Sequence, residues 1–529
     1  MTEKIFTSKF PPVDFQKYEH HSFGSFLKEC LTNNHDSLIV DTTLKVTITY
    51  QRLNELSEKF TNVYRHIGAL PHEVIHIYAD NSILWAAACI GAQYHGLITS
   101  ASHTTSPPSD LQRNLRATGS SLLVTTPEKW NEVKDKVTCN TLSVVVTCCE
   151  FVNDSRRYEI NIEYQLLKNI AHTNDNELND VCYMVMTSGS TGVPKAIALQ
   201  SPYCIGTMIL FTHTTTVAVP KGETLNVVQP FPHIGGFMLN VAPFLYAGAN
   251  LIFIRKFDDS FIDTIINYKV QHIFAVAAIF RYLSTLESVN QSELAFVKTI
   301  MTSGTMQGAE VFKKVSEKFG KDVNIINIYG LSESLPLFVS STKLGTKLSN
   351  AGYLCPNGSF KLVSPENPDV FANPGEICVK GLPTFKCYYK DAAKTKLTFT
   401  KDGFLRTGDY GRLDEHGELE LLSRTKEVIK FKGYMIFPSE LENYLNSHPS
   451  VLNSAVIGMP NEVNGELPVA FVVLKESVSI DELKDFVKSE VPEYKQLHHI
   501  KVLEEMPLNH NRKIDKVLLK KEVATCFSD

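Results

Sequence analysis

This 529-residue chain has no strong charge excess, no paired-cysteine spacing and no N-terminal apolar core of signal-peptide length. Each absence removes a class of protein. Lys and Arg number 52 against 57 Asp and Glu, a formal charge of −5 with no basic tract, so binding of nucleic acid has no electrostatic footing. The eleven cysteines include the adjacent Cys148 and Cys149 but no C-x-x-C pair, which implies neither a disulfide framework nor a zinc site and fits a reducing compartment. The opening MTEKIFTSKFPPVDF carries Pro11 and Pro12, which argue against a long amphipathic targeting helix. Two uncharged stretches, 196–220 and 224–254, are interrupted by Gln200, Pro202 and a Thr/His run in the first and by Pro230, Pro232, His233 and Pro243 in the second. A membrane span needs roughly 20 apolar residues, so these stretches read as buried segments of an α/β core, with no transmembrane segment.

What is present is enough to build several cores. The chain is 43% hydrophobic and 21% charged, and its length predicts more than one domain. Short β-rich runs (121–126, 142–147, 183–187, 251–254 and 324–330) alternate with amphipathic segments such as GAEVFKKVSEKFG at 308–320. That alternation predicts parallel sheets covered by helices. From about Ala351 the pattern changes to short strands broken by Gly and Pro, which predicts a small antiparallel β-barrel. Beyond Arg424 the charge density rises and the segments 440–447, 469–476 and 479–491 suggest a compact α+β unit. The expected division is a large domain over 1–423 and a small one over 424–529.

The densest chemistry lies in YMVMTSGSTGVPKAIAL, 183–199. Gly189 and Gly192 let the backbone approach a ligand and turn amide N–H groups inward. Thr187, Ser188, Ser190 and Thr191 add hydroxyls, and Lys195 adds a full charge, so the stretch suits a polyphosphate. It is not a Walker A loop, because Lys195 stands three residues beyond Gly192, behind Pro194, and is followed by Ala196. An ordinary Gly/Ser turn after a strand is the other reading of the loop taken alone.

The run 188–195 resembles the phosphate loop of the adenylate-forming superfamily, which includes acyl-CoA synthetases, 4-coumarate:CoA ligases and beetle luciferases. Further motifs follow in order through nearly the whole chain. NIYGLSES, 327–334, resembles the adenine and magnesium motif; the resemblance implies that Asn327, Tyr329 and Gly330 flank the nucleotide, that Ser332 contacts phosphate and that Glu333 holds Mg2+. QPFPHIGGF, 229–237, is similar to the motif whose histidine, here His233, borders the acyl pocket; by itself such a histidine is more often a satisfied core residue. The same likeness puts Gly235, Gly236, Gly304, Thr305, Leu331 and Leu335 around the acid. Thr407-Gly408-Asp409 resembles the ribose-binding segment, and Arg424 the arginine beside ribose and phosphate at a hinge. Bare, these two are equally a turn residue and a surface charge. Lys513 in NRKID falls where the family carries a catalytic lysine, and Lys430 on the face implied to replace it after the small domain turns.

There are departures. Arg512 stands for the usual glycine, Ala196 follows the loop lysine, SGTMQG at 303–308 lacks a proline, and Met435 stands where glutamine is common. Every ionisable residue that the chemistry requires is nonetheless present. The resemblance implies an ATP-dependent acid:CoA ligase that forms acyl-AMP and then a thioester. Its catalytic residues would be Lys513, Lys195, His233 and Lys430, and its needs ATP, Mg2+ and coenzyme A. The presumed pocket segments are apolar or neutral apart from His233 and Glu333 and carry no fixed cation, so a hydrophobic monocarboxylic acid is expected. A luciferase-like oxygenase and a non-catalytic nucleotide-binding relative are the alternatives. The chain ends Phe527-Ser528-Asp529, which is not a peroxisomal address. A cytoplasmic monomer or weak homo-oligomer is therefore expected, with a peroxisomal location as the alternative.

Overall fold

The computed structural model describes residues 4–153, 156–169, 175–187, 195–214, 218–286, 289–305, 307–508 and 514–526. Two mixed sheets dominate. The first has eight strands in the order Cys387–Tyr388, Lys195–Gln200, Val181–Thr187, Ile98–Ala101, Val74–Tyr78, Leu122–Thr125, Val144–Val152 and Tyr158–Leu166. Its five central strands run parallel and its edges antiparallel. The second has nine strands, with Asn324–Leu331, Thr299–Ser303, His272–Val276, Thr224–Val227, Asn250–Phe253 and Leu38–Asp41 parallel in that order. Central parallel strands are covered on both faces, which is why runs such as Leu122–Thr125 are apolar without alternation.

One hydrophobic core joins the two sheets, containing Ile75 and Ile77 from the first and Leu225 and Leu251 from the second. The helix Ile83–His95 lies within it and is apolar nearly all round, as a helix buried on every side must be. Ser82 caps it by accepting the Trp85 N–H at 3.2 Å. Gly91 is needed there, because a Cβ would sit 2.5 Å from the Ser57 carbonyl of the helix Tyr50–His66. Arg255 ties the sheets together electrostatically, pairing with Asp41 at 2.7 Å and with Glu150 of the edge hairpin. Burial by itself would lower the Arg255 pKa; hydrogen bonding and charge from the two carboxylates outweigh it and raise it.

The expected small barrel is a five-stranded antiparallel sheet, Phe6–Thr7, Ser359–Val363, Gly375–Lys380, Leu405–Leu413 and Leu419–Arg424. Its first strand comes from the N-terminus, where Phe6 pairs with Phe360 and stacks on its ring. After Arg424 come a further five-stranded sheet, built around Val451–Asn461 and Gly465–Leu474, and the helices Pro438–Ser447, Ile480–Glu490 and Lys516–Cys526. The two uncharged stretches become strands and short helices of the core, and no helix among the described residues is long and apolar enough to cross a membrane.

His76, on a central strand, is fully buried and bonded through Nε2 to Ser102 Oγ at 2.7 Å, which in turn accepts from Asn114. Burial alone pushes its pKa down to about 3. In the unfolded chain this imidazole takes up a proton near pH 6.5, whereas the folded chain refuses it, so its contribution to stability is complete above 6.5 and is lost as pH falls toward 3. The full loss is about 5 kcal/mol. Denaturant unfolding between pH 3 and 6.5 is expected to show a stability slope smaller by about one proton in His76→Gln than in the unmodified protein. Equal slopes would assign the acid loss to carboxylates alone.

Candidate active site

In open α/β sheets ligands bind beyond the carboxyl ends of the parallel strands. The residues singled out in the sequence collect there in both sheets: Thr187 ends Val181–Thr187, Gly304 and Thr305 follow Thr299–Ser303, Ser332 and Glu333 follow Asn324–Leu331, and His233 lies beyond Thr224–Val227. Thr187 pairs in register with Lys195 of the next strand, fixing both ends of the segment 188–194. Ser188, Gly189, Ser190, Thr191 and Gly192 lie outside the described residues, as do Met306 and Lys513.

Lys195 Nζ pairs with Asp391 Oδ2 at 2.5 Å and lies 5.7 Å from the centre of the Tyr388 ring. The hydrogen bond from Lys195 holds the Asp391 carboxyl below the usual range. Tyr388 donates to Glu333 Oε1 at 2.5 Å, so one phenol links the lysine to the candidate metal ligand. Tyr388 and Asp391 belong to YYKD, 388–391, a stretch that shares in the resemblance but whose residues were given no role from the sequence. They arrive through a two-residue strand whose Tyr388 pairs with Ile197, a contact with no local signature.

A second group adjoins the first. Tyr329 donates to Asp409 Oδ2 at 2.6 Å, and Arg424 Nε lies 3.0 Å from Asp409 Oδ1. Asp409 and Arg424 are also cross-strand partners. Burial raises the Asp409 pKa, and Arg424 and Tyr329 pull it back. The charge of Asp409 raises that of Arg424, with Glu333 contributing to the same field. Tyr329 is pushed far up, by burial first and by Asp409 second. The result is a carboxylate held between a phenol and a guanidinium, with the hydrogen-bonding capacity to receive a vicinal diol.

His233 lies near Thr187. The two share a small cavity of about 50 Å³ with Ser102, His103, Asp110, Arg113 and Met186. Its Nδ1 accepts the Gly235 N–H at 3.0 Å. Gly236 permits this turn, because a Cβ would come within 2.0 Å of the Pro230 carbonyl. A larger open depression of about 420 Å³, between Ser284 and Lys318, is lined by none of these residues.

The remaining expected residues divide. Asn327 places its amide on the carbonyls of Leu348 and Asn350, at 3.0 and 3.3 Å, and so anchors the neighbouring loop. Gly330 packs against Leu335, while Leu331 stays half-buried. The Ser332 carbonyl accepts from Tyr203 at 3.0 Å and that of Leu335 from Thr207 at 2.9 Å. Lys430 is exposed, its Nζ 3.7 Å from Glu366. The expected pocket segments themselves carry no cation, but other elements bring arginines near them, Arg113 in the His233 cavity being one. Arg281 donates through Nε to Gln307 at 3.2 Å, beside the Gly304-Thr305 turn. It escaped notice because it comes from a separate helix, Ala277–Ser284. Among the described residues no group of three potential metal-ligating side chains occurs.

Residues 28–389 match the family model of the AMP-binding enzymes, and 440–513 match that of the AMP-binding enzyme C-terminal domain. The chain therefore belongs to the AMP-binding enzymes. Within this adenylate-forming superfamily it stands in the acyl-CoA synthetase and 4-coumarate:CoA ligase branch. It is 28% identical to 4-coumarate:CoA ligase 1 of Petunia hybrida, covering 96% of this chain and 95% of that protein. It is likewise 28% identical to 4-coumarate–CoA ligase 2 of Solanum tuberosum, covering 99% and 98%. Its fold superposes on ATP-bound MatB from Rhodopseudomonas palustris with a TM-score of 0.82 at 20% identity, over 96% of this chain and 99% of that one.

Proposed function

We propose that the chain is an ATP-dependent acid:CoA ligase that activates a hydrophobic carboxylic acid. The observation that carries this reading is the Tyr329–Asp409–Arg424 group standing within the field of Glu333, whose own partner Tyr388 reaches Lys195. These residues come from four separate stretches of sequence, and each has the chemistry that one part of ATP requires. Asp409 would accept the ribose hydroxyls, and Tyr329 would lie beside the base. Lys195 would meet the outer phosphates with Thr187 and the loop 188–192.

A carboxylate is a poor acylating agent, because its leaving group would be an oxide. Its attack on the α-phosphorus of ATP forms the mixed anhydride acyl-AMP and expels pyrophosphate. The thiol of coenzyme A then attacks the acyl carbonyl, forms the thioester and expels AMP. No bond to the protein forms, so positioning and charge neutralisation carry the catalysis. Glu333 fits a Mg2+ site, since one of its oxygens is held by Tyr388, and a cation that keeps several waters needs only one or two carboxylates. Bound there, Mg2+ would neutralise phosphate charge. His233 would border the acid.

The proposed division into 1–423 and 424–529 is supported by the separate cores of the last hundred residues. Between them and the large sheets lies the small cluster Tyr410, Leu422, Val428 and Phe437. The test is pyrophosphate release across a panel of acids with ATP, Mg2+ and coenzyme A. Aromatic and medium-to-long aliphatic monocarboxylic acids are expected to be used. A preference for dicarboxylic acids would overturn the hydrophobic assignment and point to a nearby arginine, and the absence of acid-dependent pyrophosphate release across the whole panel would favour a non-catalytic relative.

A further inference from the structure

Two ammonium groups approach one ring where the strand Lys195–Gln200 passes the short helix Ala392–Leu397. Lys195 is paired with Asp391. Asp391 also caps the helix, accepting the Lys394 backbone N–H at 3.0 Å, so a single carboxylate fixes both the helix start and Lys195. The Lys394 ammonium lies 5.9 Å from the centre of the Tyr388 ring, the same ring that Lys195 approaches at 5.7 Å. Lys426, in the segment joining the two parts of the chain, adds a third positive charge. Lys394 is half-buried, and its pKa is lowered by burial first and then by repulsion from Lys426 and Lys195, against which Glu333 and Asp391 pull only in part. Flexible lysines on open surface separate to avoid such crowding, so charges held this close and partly out of water are arranged for an anion. Asp391 is already engaged by Lys195, so an outer phosphate would give the Lys394 ammonium an anionic partner at the same ring.

We propose that Lys394 is a second phosphate-binding lysine, contacting the outer phosphates of ATP, and the pyrophosphate they become, beside Lys195. This rests on the ATP-binding reading above and adds a residue to it. The bland alternative is that Lys394 serves only the last turn of its helix, where a cation is favoured by the backbone dipoles.

Affinity of the full-length protein for ATP, inorganic pyrophosphate and AMP, each with Mg2+, separates the two. Lys394→Ala is expected to weaken ATP and pyrophosphate roughly tenfold while leaving AMP, which lacks the outer phosphates, within about twofold. Lys394→Arg should restore both, and Lys396→Ala, an exposed neighbour on the same helix, should change neither. If Lys394→Ala weakens AMP as much as ATP, or affects none of the three, the inference is overturned. An unmodified protein that binds neither ATP nor AMP would instead remove the nucleotide site itself, and this lysine's role with it.

Discussion

Lys513→Ala is expected to slow acyl-AMP formation roughly 100-fold or more, a loss of about 2.7 kcal/mol of transition-state stabilisation. The variant, supplied with preformed acyl-AMP and coenzyme A, should still make thioester at close to the normal rate. Lys430→Ala should do the reverse, releasing pyrophosphate normally in a single turnover but forming thioester slowly. The proposed mechanism gives each lysine one half-reaction, presented in turn by rotation about the segment Arg424-Thr425-Lys426. Lys430 is now exposed beside Glu366. The helix beginning three residues beyond Lys513 is held by Lys516, which pairs with Glu427 at 3.0 Å and Glu442 at 2.8 Å. Burial opposes the Lys516 charge and the two carboxylates outweigh it; both lie beyond Arg424, so in the proposed rotation this anchor would move with the small unit. Single-turnover measurement of both half-reactions checks the division, and equal loss of both in both variants, with the fold intact, would discard the rotation.

Asp409→Ala should weaken ATP and AMP alike, by roughly 100-fold, because both nucleotides lose the ribose acceptor and charge-assisted hydrogen bonds contribute about 1.5–3 kcal/mol each. It should also destabilise the fold by about 1–3 kcal/mol, since the Tyr329 hydroxyl loses its acceptor in a buried place. Asp409→Asn separates the two effects. An amide oxygen still receives Tyr329, so stability should recover in denaturant unfolding while nucleotide affinity stays low. Normal affinity in a folded Asp409→Ala would show that ribose is held elsewhere. The shared loss of ATP and AMP is the opposite of the pattern expected for Lys394, so the ribose and outer-phosphate ends of the site are read independently.

Much of this site was legible because its motifs are local. The strand Val181–Thr187 and the helix Ala309–Phe319 follow from apolar run and amphipathic period. What was illegible depends on pairing across long separations. Nothing near Glu333 announces Tyr388, and nothing near Lys195 announces Asp391, because the Cys387–Tyr388 strand adds to the edge of a sheet whose other members lie far earlier in the chain. The strand Phe6–Thr7 is a similar case, its place set by Phe360 and not by its own two residues. Asn327 has a task that its motif did not suggest: its amide anchors the loop at Leu348 and Asn350.

The Lys195–Asp391 pair also sets how the site should respond to ionic strength. A lysine waiting unpaired would attract phosphate at a distance, and dissolved salt would blunt that attraction steeply. Here the lysine already has an anion 2.5 Å away, so an arriving phosphate displaces one negative partner with another. Added salt weakens the old contact along with the new one, and much of its effect cancels in the exchange. Asp391, on release, still caps its helix and still faces Lys394. In the proposed role of Lys195 the pair would act as a charge buffer, keeping phosphate capture nearly even across changes in the surrounding electrolyte.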